Sequence, residues 1–440
     1  MHSTESRATV VAAPAATGTT QEDQLFRKIA LRILPVLMLG YLAASIDRVN
    51  VGFAKLHMAQ ALGLSDGMYG FGAGIFFLGY FLFEVPSNLI LHRVGARRWL
   101  ARIMISWGLV SGLTMFVRTP AEFYAVRFLL GIAEAGFIPG VIYYLTQWFP
   151  SQRRGRVMGV FYVALALAGL IGGPVSGWIL ETMGGVGNLA AWQWMFLIEA
   201  LPTLVVAWLI LVTLDDRIAD AKWLDATERA LLERLLSEEA QQKAHLSLRD
   251  LGMSRHLVAM CLIFFADIFA IYGLGFWMPT MIKNMGVASD LSIGMLSALP
   301  SLCAIPAMLC FTRSADRRRE RRWHLAALYL LGALGLSLTV VGQHNVTLGI
   351  AGLCIANFGI LAIPALFWAL PTAVLGGAAA AAGIALINCL ANLSGFLGPY
   401  IVGFVKQWSG SSDASIWMMA AVLVGGAMLV LSIPRQLVNR

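Results

Sequence analysis

Charge is what this sequence has least of. Only 13% of its 440 residues are Asp, Glu, Lys or Arg, against 58% hydrophobic. Water-soluble domains carry about 25% charged residues, so a soluble globular chain is excluded. Sustained apolar–polar alternation is missing as well, which excludes a β-barrel. The cysteines are few, and Cys261, Cys303, Cys310, Cys354 and Cys389 all fall in apolar segments. None has zinc-site spacing, and no disulfide is expected. The histidines are scattered, and no Ser/His/Asp set or metal spacing stands out. An enzyme, a metal site and a cofactor are therefore not expected. The formal net charge of +8 does not indicate nucleic acid, because the Lys and Arg residues sit in short clusters between apolar segments.

What is present is a series of twelve apolar segments, near 28–53, 68–92, 98–118, 121–149, 155–181, 191–214, 256–284, 290–312, 323–343, 346–371, 379–406 and 414–434. They predict an all-α polytopic membrane protein in a lipid bilayer. Basic residues set the orientation. Arg93, Arg97 and Arg98, then Arg153, Arg154 and Arg156, then the stretch from Arg217 to Arg255, then Arg313 to Arg322 all lie on one side. The alternate loops offer little more than Lys55, Arg118, Lys283 and Lys406. The positive-inside rule places both termini in the cytoplasm. The loop Gly376–Ala382 is a cytoplasmic exception without a basic residue.

The chain is expected to divide into a disordered cytoplasmic tail (1–25), a six-helix bundle (26–214), a cytoplasmic linker (215–255), a second six-helix bundle (256–434) and a short tail (435–440). The first tail is rich in Ala, Thr and Ser, without an apolar core, so the first span serves as its own insertion signal. In the linker, Asp225 and Glu228 have capping-box spacing. Leu231, Leu232, Leu235 and Leu236 then form one stripe, which predicts an amphipathic helix on the cytoplasmic face. The bundles repeat. The stretch from His92 to Trp99 corresponds to Asp316 to Trp323, and Gly173-Pro174 corresponds to Gly398-Pro399, at offsets of 224 and 225. That is a parallel repeat of two six-helix halves.

The fourth segment carries both Arg127 and Glu134. A charge at the centre of a membrane helix costs about 2.5–3.5 kcal/mol on insertion scales. Seven residues is nearly two turns, so both side chains share a face, but a rise of about 10 Å is a long reach for a direct pair. Each needs a partner from another helix or a ligand. A structural ion pair between helices and a polar face lining a central cavity both satisfy that need. Asp47 and Arg48 add a second acid and a second arginine in the first segment, pointing about 100° apart. A guanidinium holds one carboxylate in a bidentate fork. A substrate carboxylate that takes the arginine from Asp47 or Glu134 leaves that acid without its cation, and the acid then takes a proton. Linkage makes protonation favour substrate binding by the same factor. This scheme is proton-coupled anion uptake.

Other residues admit two readings each. Tyr80 and Asn392 could reach a substrate or serve packing, and Trp368 could wall a cavity. Glu84 reads as a helix cap or gate, and Asn388 shares a face with Asn392. Asp267 is a further intramembrane acid without an assigned role, and Tyr272 and Trp277 read as packing or gate residues. Gly155 with Gly159, and Gly173 with Gly177, have the spacing of close helix contacts. Pro139, Pro174, Pro364 and Pro399 are expected to kink their helices. Between Tyr162 and Ser176 the fifth segment reads VALALAGLIGGPV, with no polar side chain. That wall favours an aromatic or short carboxylic acid over a sugar acid.

These residues resemble the major facilitator superfamily. Arg93, Gly95, Arg97 and Arg98 fit its loop signature, with His92 where Asp is usual; in the second half Asp316-Arg317 fits, and Arg319 replaces the Gly. SIDRVNVGFA (45–54), GYFLFEVPSNLILHRVGARRW (79–99), RFLLGIAEAGFIPG (127–140) and YGLGFWMP (272–279) are similar to the anion:cation symporter family, the bacterial tartrate, phthalate, sugar-acid and 4-hydroxyphenylacetate carriers, with the tartrate-transporter-like branch nearest. The resemblance implies secondary transport of a small organic anion with protons, across a bacterial-type inner membrane, by a protein expected to be monomeric. It implies Asp47 and Glu134 as proton-handling carboxylates, and Arg48 and Arg127 as groups that position them or meet the substrate carboxylate. The rival readings are a drug or cation exporter of the same fold, disfavoured by the two arginines, an anion exchanger or uniporter, and a channel, disfavoured by the two-fold repeat.

Overall fold

The computed structural model describes residues 17–242, 255–368, 370–371 and 377–435. In a bilayer, helices satisfy their own backbone groups. Twelve among the described residues are long and apolar enough to cross one: Gln21–Ala61, Asp66–Val94, Ala96–Phe116, Pro120–Trp148, Arg153–Thr182, Ala191–Thr213, Arg255–Asn284, Asp290–Ala315, Arg322–Val341, Val346–Phe367, Leu386–Ser409 and Ser412–Ser432. They are called the first to twelfth spans below. Both described termini lie at one end of the bundle, and the other end is termed distal.

Two expectations about the ends need correction. The first helix begins at Thr17, inside the stretch read as tail. Leu25 and Phe26 are buried, and Arg153 pairs with both Glu22 and Asp23, so this polar entry is anchored to the fifth span. The helix of the eleventh span begins at Gly377, so most of the Gly376–Ala382 loop is helical. Residues 1–16, 243–254 and 436–440 of the expected tails and linker lie outside the described residues.

The packing repeats with the sequence. The first span packs on the fifth and sixth, the second on the fourth, and the third on the sixth. The same pattern recurs six spans later, seventh on eleventh and twelfth, eighth on tenth, and ninth on twelfth. Gly95 has φ 95°, and Arg319, at the matching place 224 residues on, has φ 48°. The turn thus keeps its left-handed backbone where the glycine is lost. Between the halves, the second span meets the eleventh and the fifth meets the eighth. Gly173 lies so close to the Gly294 carbonyl that a Cβ there would stand 2.7 Å from it. Gly177 packs on the same turn, whereas Gly155 and Gly159 face open space, so that pair makes no close contact.

The capping box forms as its spacing predicts. Glu228 N donates to Asp225 Oδ1 at 2.7 Å, and Asp225 N donates to Glu228 Oε2 at 2.9 Å. The helix Ala226–Gln242 buries Leu232, Glu228 pairs with Lys28, and the preceding Trp223 stacks on Trp148.

At the distal end, ions and rings tie the halves together. Asp66 pairs with Lys55 at 2.7 Å and with Lys406 of the other half at 3.1 Å. Both ammonium groups lie over the Trp277 ring, at 3.9 and 5.1 Å. Trp277 packs edge-on against Tyr69, and His57 reaches Asp290 at 2.6 Å. Trp277 is therefore part of the distal closure between the halves.

Candidate functional site

The fourth span is two helices, Pro120–Glu134 and Phe137–Trp148. Thr119 caps the first by accepting from Glu122 N, and Pro120 follows at a position where the missing N–H costs nothing. The break falls at Ala135–Gly136, with Gly136 at φ 89°, and not at Pro139, which sits inside the second helix. Pro174 and Pro399 likewise lie within continuous helices. In the tenth span the break at Leu361 and Ala362 precedes Pro364, which opens the short helix Ile363–Phe367. Because the first helix of the fourth span stops at Glu134, this carboxylate stands at a helix end facing the first span.

A Cβ on Gly136 would run into the Ser87 side chain, and a left-handed residue other than glycine costs about 1–2 kcal/mol. Gly136→Ala is expected to lower stability by about 2–3 kcal/mol for the clash and the backbone together. Thermal unfolding in detergent checks this, and an unchanged unfolding temperature contradicts it.

Glu134 is buried and accepts from Arg48 Nη2. Arg48 Nη1 in turn donates to Tyr272 Oη of the seventh span at 2.9 Å. The guanidinium lies 5.4 Å from the centre of the Phe76 ring and 5.7 Å from that of Tyr80. Arg48 therefore joins an acid of one half to a tyrosine of the other, with Tyr80 as a wall. Tyr272, read from sequence as packing or gate, is a direct hydrogen-bond partner in this cluster.

Arg127 differs. It is 0% exposed, and its Nη2 donates to the Ala73 carbonyl at 3.3 Å. Among the described residues, Nε and Nη1 meet no acceptor. The rings of Phe76 and Phe276 lie beside it, at 5.2 and 6.0 Å. A buried guanidinium with two idle donors is costly to leave without an anion. Glu134 Oε2 is also without a donor among the described residues. A ligand carboxylate is the chemistry that the Arg127 donors ask for.

Asp47 points the other way. Its carboxylate accepts from Trp107 Nε1 at 2.7 Å, Ser111 Oγ at 3.1 Å and Thr203 Oγ1 at 3.1 Å. It is buried among the first, third and sixth spans, and among the described residues no arginine is its partner. The structure thus brings Glu134, Arg48, Tyr80 and Tyr272 together, with Arg127 against the same Phe76 ring, and sets Asp47 behind them.

Three further candidates sit elsewhere. Asn392 donates to Glu84 Oε2 at 2.9 Å and Asn388 to Glu84 Oε1 at 3.4 Å, so these amides hold the second span's acid across the two halves. Trp368 packs edge-on to Phe264 at 4.9 Å and against Phe367 at 5.5 Å. Asp267 is fully buried, and neither oxygen is hydrogen-bonded among the described residues. Sequence reasoning missed Glu199, a buried acid of the sixth span that accepts from Ser176 and Asn50. The signal was present, since Glu199 is the one charge in an otherwise uncharged stretch from Ala191 to Thr213.

The sequence profile of the Major Facilitator Superfamily matches residues 37–399. A putative tartrate transporter of Agrobacterium vitis is 46% identical over 417 residues, which cover 94% of this chain and 95% of that protein. A quinolone resistance transporter of Acinetobacter baumannii is 41% identical over 411 residues, covering 93% and 94%. Among solved structures, the xylose transporter XylE of E. coli, in a partially occluded inward-open conformation, aligns with a TM-score of 0.72 at 14% identity, covering 92% of this chain and 99% of that one.

Proposed function

Because the chain belongs to the Major Facilitator Superfamily, we propose that this multi-pass membrane transporter takes up an organic carboxylate together with protons by alternating access. Arg127 carries the reading, as a buried guanidinium with two donors that meet no acceptor among the described residues. A substrate carboxylate docks on those donors and on Arg48, between Tyr80 and Tyr272. In taking Arg48 it draws that cation from Glu134, and the released acid accepts a proton. Substrate and proton thus enter the site as a pair, each raising the affinity for the other by the same factor. Asp47, held by three neutral donors, is the second proton-handling group.

The basic loops make the end that carries the termini cytoplasmic, in a bacterial-type inner membrane. On this orientation the Asp66–Lys406 and His57–Asp290 pairs close the extracellular side, and the protein faces inward. Asn392 with Glu84 lies on the cytoplasmic side of the site, where its hydrogen bond must part or be exchanged for one to substrate during release. Trp368, against Phe264, lines the second half of the path. The protein is read as a monomer. The apolar run between Tyr162 and Ser176, together with the relative named for tartrate, favours a short or aromatic acid.

The relative named for quinolone resistance supports a second reading, export of an aromatic acid drug. Quinolones carry a carboxylate, so both readings ask Arg127 for the same contact and differ in the direction of net flow. Tracer accumulation in proteoliposomes decides. With tartrate, galactonate, phthalate, 4-hydroxyphenylacetate and a quinolone offered under an inward proton gradient, uptake predicts at least about tenfold concentration of one acid, with trans-acceleration by unlabelled acid inside. Asp47→Asn is expected to lose accumulation and keep exchange. Accumulation that survives Asp47→Asn removes that residue from the coupling, and accumulation driven only by an opposite gradient favours export.

A further inference from the structure

Glu199 has no part in the scheme above, yet it is built into the seam beside Asp47. It is 6% exposed, and its two oxygens accept from Ser176 Oγ at 2.6 Å and Asn50 Nδ2 at 2.9 Å. Asn50 lies three residues after Asp47, and Thr203 lies four residues after Glu199. On two packed helices these spacings make adjacent rungs on one face. Thr203 with Asp47 is one rung, and Glu199 with Asn50 is the next. The first span runs toward the distal end and the sixth runs away from it, so the Glu199 rung is the more distal, displaced by about 5–6 Å along the helices.

Asn50 gives this rung a property that a simple helix tie does not need. Its Nδ2 serves the carboxylate, while its Oδ1 is buried without a donor among the described residues. Turning the amide over exchanges the two atoms. The group then accepts from a protonated Glu199 as well as it donates to an ionised one. A buried amide that can serve both forms of a buried acid fits an acid that changes form.

We propose that Glu199 is a third protonation site, placed between Asp47 and the distal face, that relays protons to Asp47. This rests on the reading of Asp47 as a proton-handling group. A proton arriving from the distal side binds Glu199 Oε2, and the Asn50 amide turns to accept it. Glu199 then releases that proton toward Thr203, through water admitted when the distal end opens. The Thr203 hydroxyl passes its own hydrogen to Asp47 Oδ2 and keeps the arriving one. Glu199 returns to carboxylate and Asp47 becomes an acid. One proton enters, one is delivered, and no bond between heavy atoms changes.

The other charged groups near this seam are engaged elsewhere. On the first span, Arg48 is bound to Glu134 of the fourth, which also faces Asp47, Lys55 is bound to Asp66 and His57 to Asp290. On the fifth, Glu181 accepts from Ser289 and from Leu291 N. The third span contributes the neutral Trp107, Ser111 and Thr114 at this level. Asp47 is therefore the titrating neighbour to which Glu199 is coupled.

Infrared difference spectroscopy of the full-length protein in lipid tests this without any substrate, by following carboxylic-acid bands as the pH is stepped. Between about pH 4 and pH 10, Glu199→Gln is expected to remove one titrating band, and Asp47→Asn a different one. Because interacting sites titrate as a pair, Asp47→Asn should also move the midpoint of the Glu199 band by at least about 0.5 unit. Asn50→Leu, which keeps the carboxylate and removes the reversible amide, should move it as well. If Glu199→Gln does not assemble, the Asn50→Leu shift, with band assignment by labelled glutamate, decides. A Glu199 band that never titrates in this range, or one that ignores both substitutions, overturns the relay. An Asp47→Asn spectrum that lacks no titrating band of the wild type, so that Asp47 itself does not titrate in this range, would instead undo the reading on which the relay rests.

Discussion

Replacing Arg127 by lysine is expected to cut substrate binding and net transport at least about 100-fold, with the protein still folded. The guanidinium offers a planar fork, and two of its donors have no acceptor among the described residues. A carboxylate that docks there gains two parallel charge-assisted hydrogen bonds and ends the cost of an unsatisfied buried cation. An ammonium has the charge without the fork. It also reaches less far from the backbone toward the place the guanidinium holds beside Ala73, Phe76 and Phe276. The size follows from losing one good charge-assisted contact, about 1.5–3 kcal/mol, together with part of the second. Equilibrium binding of the transported acid to purified protein is the direct measurement. Affinity within about twofold of wild type would show that no bidentate contact forms there.

Glu134→Gln is expected to split transport in two. Accumulation against a gradient should fall at least about tenfold, while exchange of labelled for unlabelled acid stays within about twofold of wild type. Glutamine keeps the length of the side chain and its acceptor for Arg48, so the link through Arg48 to Tyr272 is preserved. What it lacks is the proton that the carboxylate would take on losing Arg48. Exchange cycles the loaded carrier and does not need that proton to be released, whereas net uptake does. Equal loss of both activities in a folded variant would make Glu134 a binding or structural residue, and equal retention would remove it from coupling.

The fold was legible because the bilayer imposes it. Long uncharged runs have one stable solution, and the basic loops and the repeat between His92 and Trp323 divide them in two. Arg127 and Glu134 stood out for the same reason, as charges where charge is costly. That rule extends to Glu199, which a fuller reading of the sixth segment finds. The pairing of these charges was not legible. Adjacent residues on the first span diverge, and nothing in the sequence says that Arg48 turns to Glu134 while Asp47 turns to Trp107, Ser111 and Thr203. Nor does it say that Asn392 is bound to Glu84, since that contact depends on how the two halves sit against each other. Proline position was a poor guide to helix breaks, because the conformation of Gly136 places the break before Pro139. Small residues were a partial one, since Gly173 and Gly177 meet a neighbour and Gly155 and Gly159 do not.

Proton movement on substrate addition tests the central claim most directly. Proteoliposomes with no imposed gradient are given tartrate, galactonate, phthalate or 4-hydroxyphenylacetate, and external pH is followed. Coupled uptake predicts alkalinisation outside on adding one of these acids, absent in Glu134→Gln and in Asp47→Asn. Entry of labelled acid with no proton movement in the wild type would contradict it, leaving a carrier that works by uniport, by exchange or with another coupling ion.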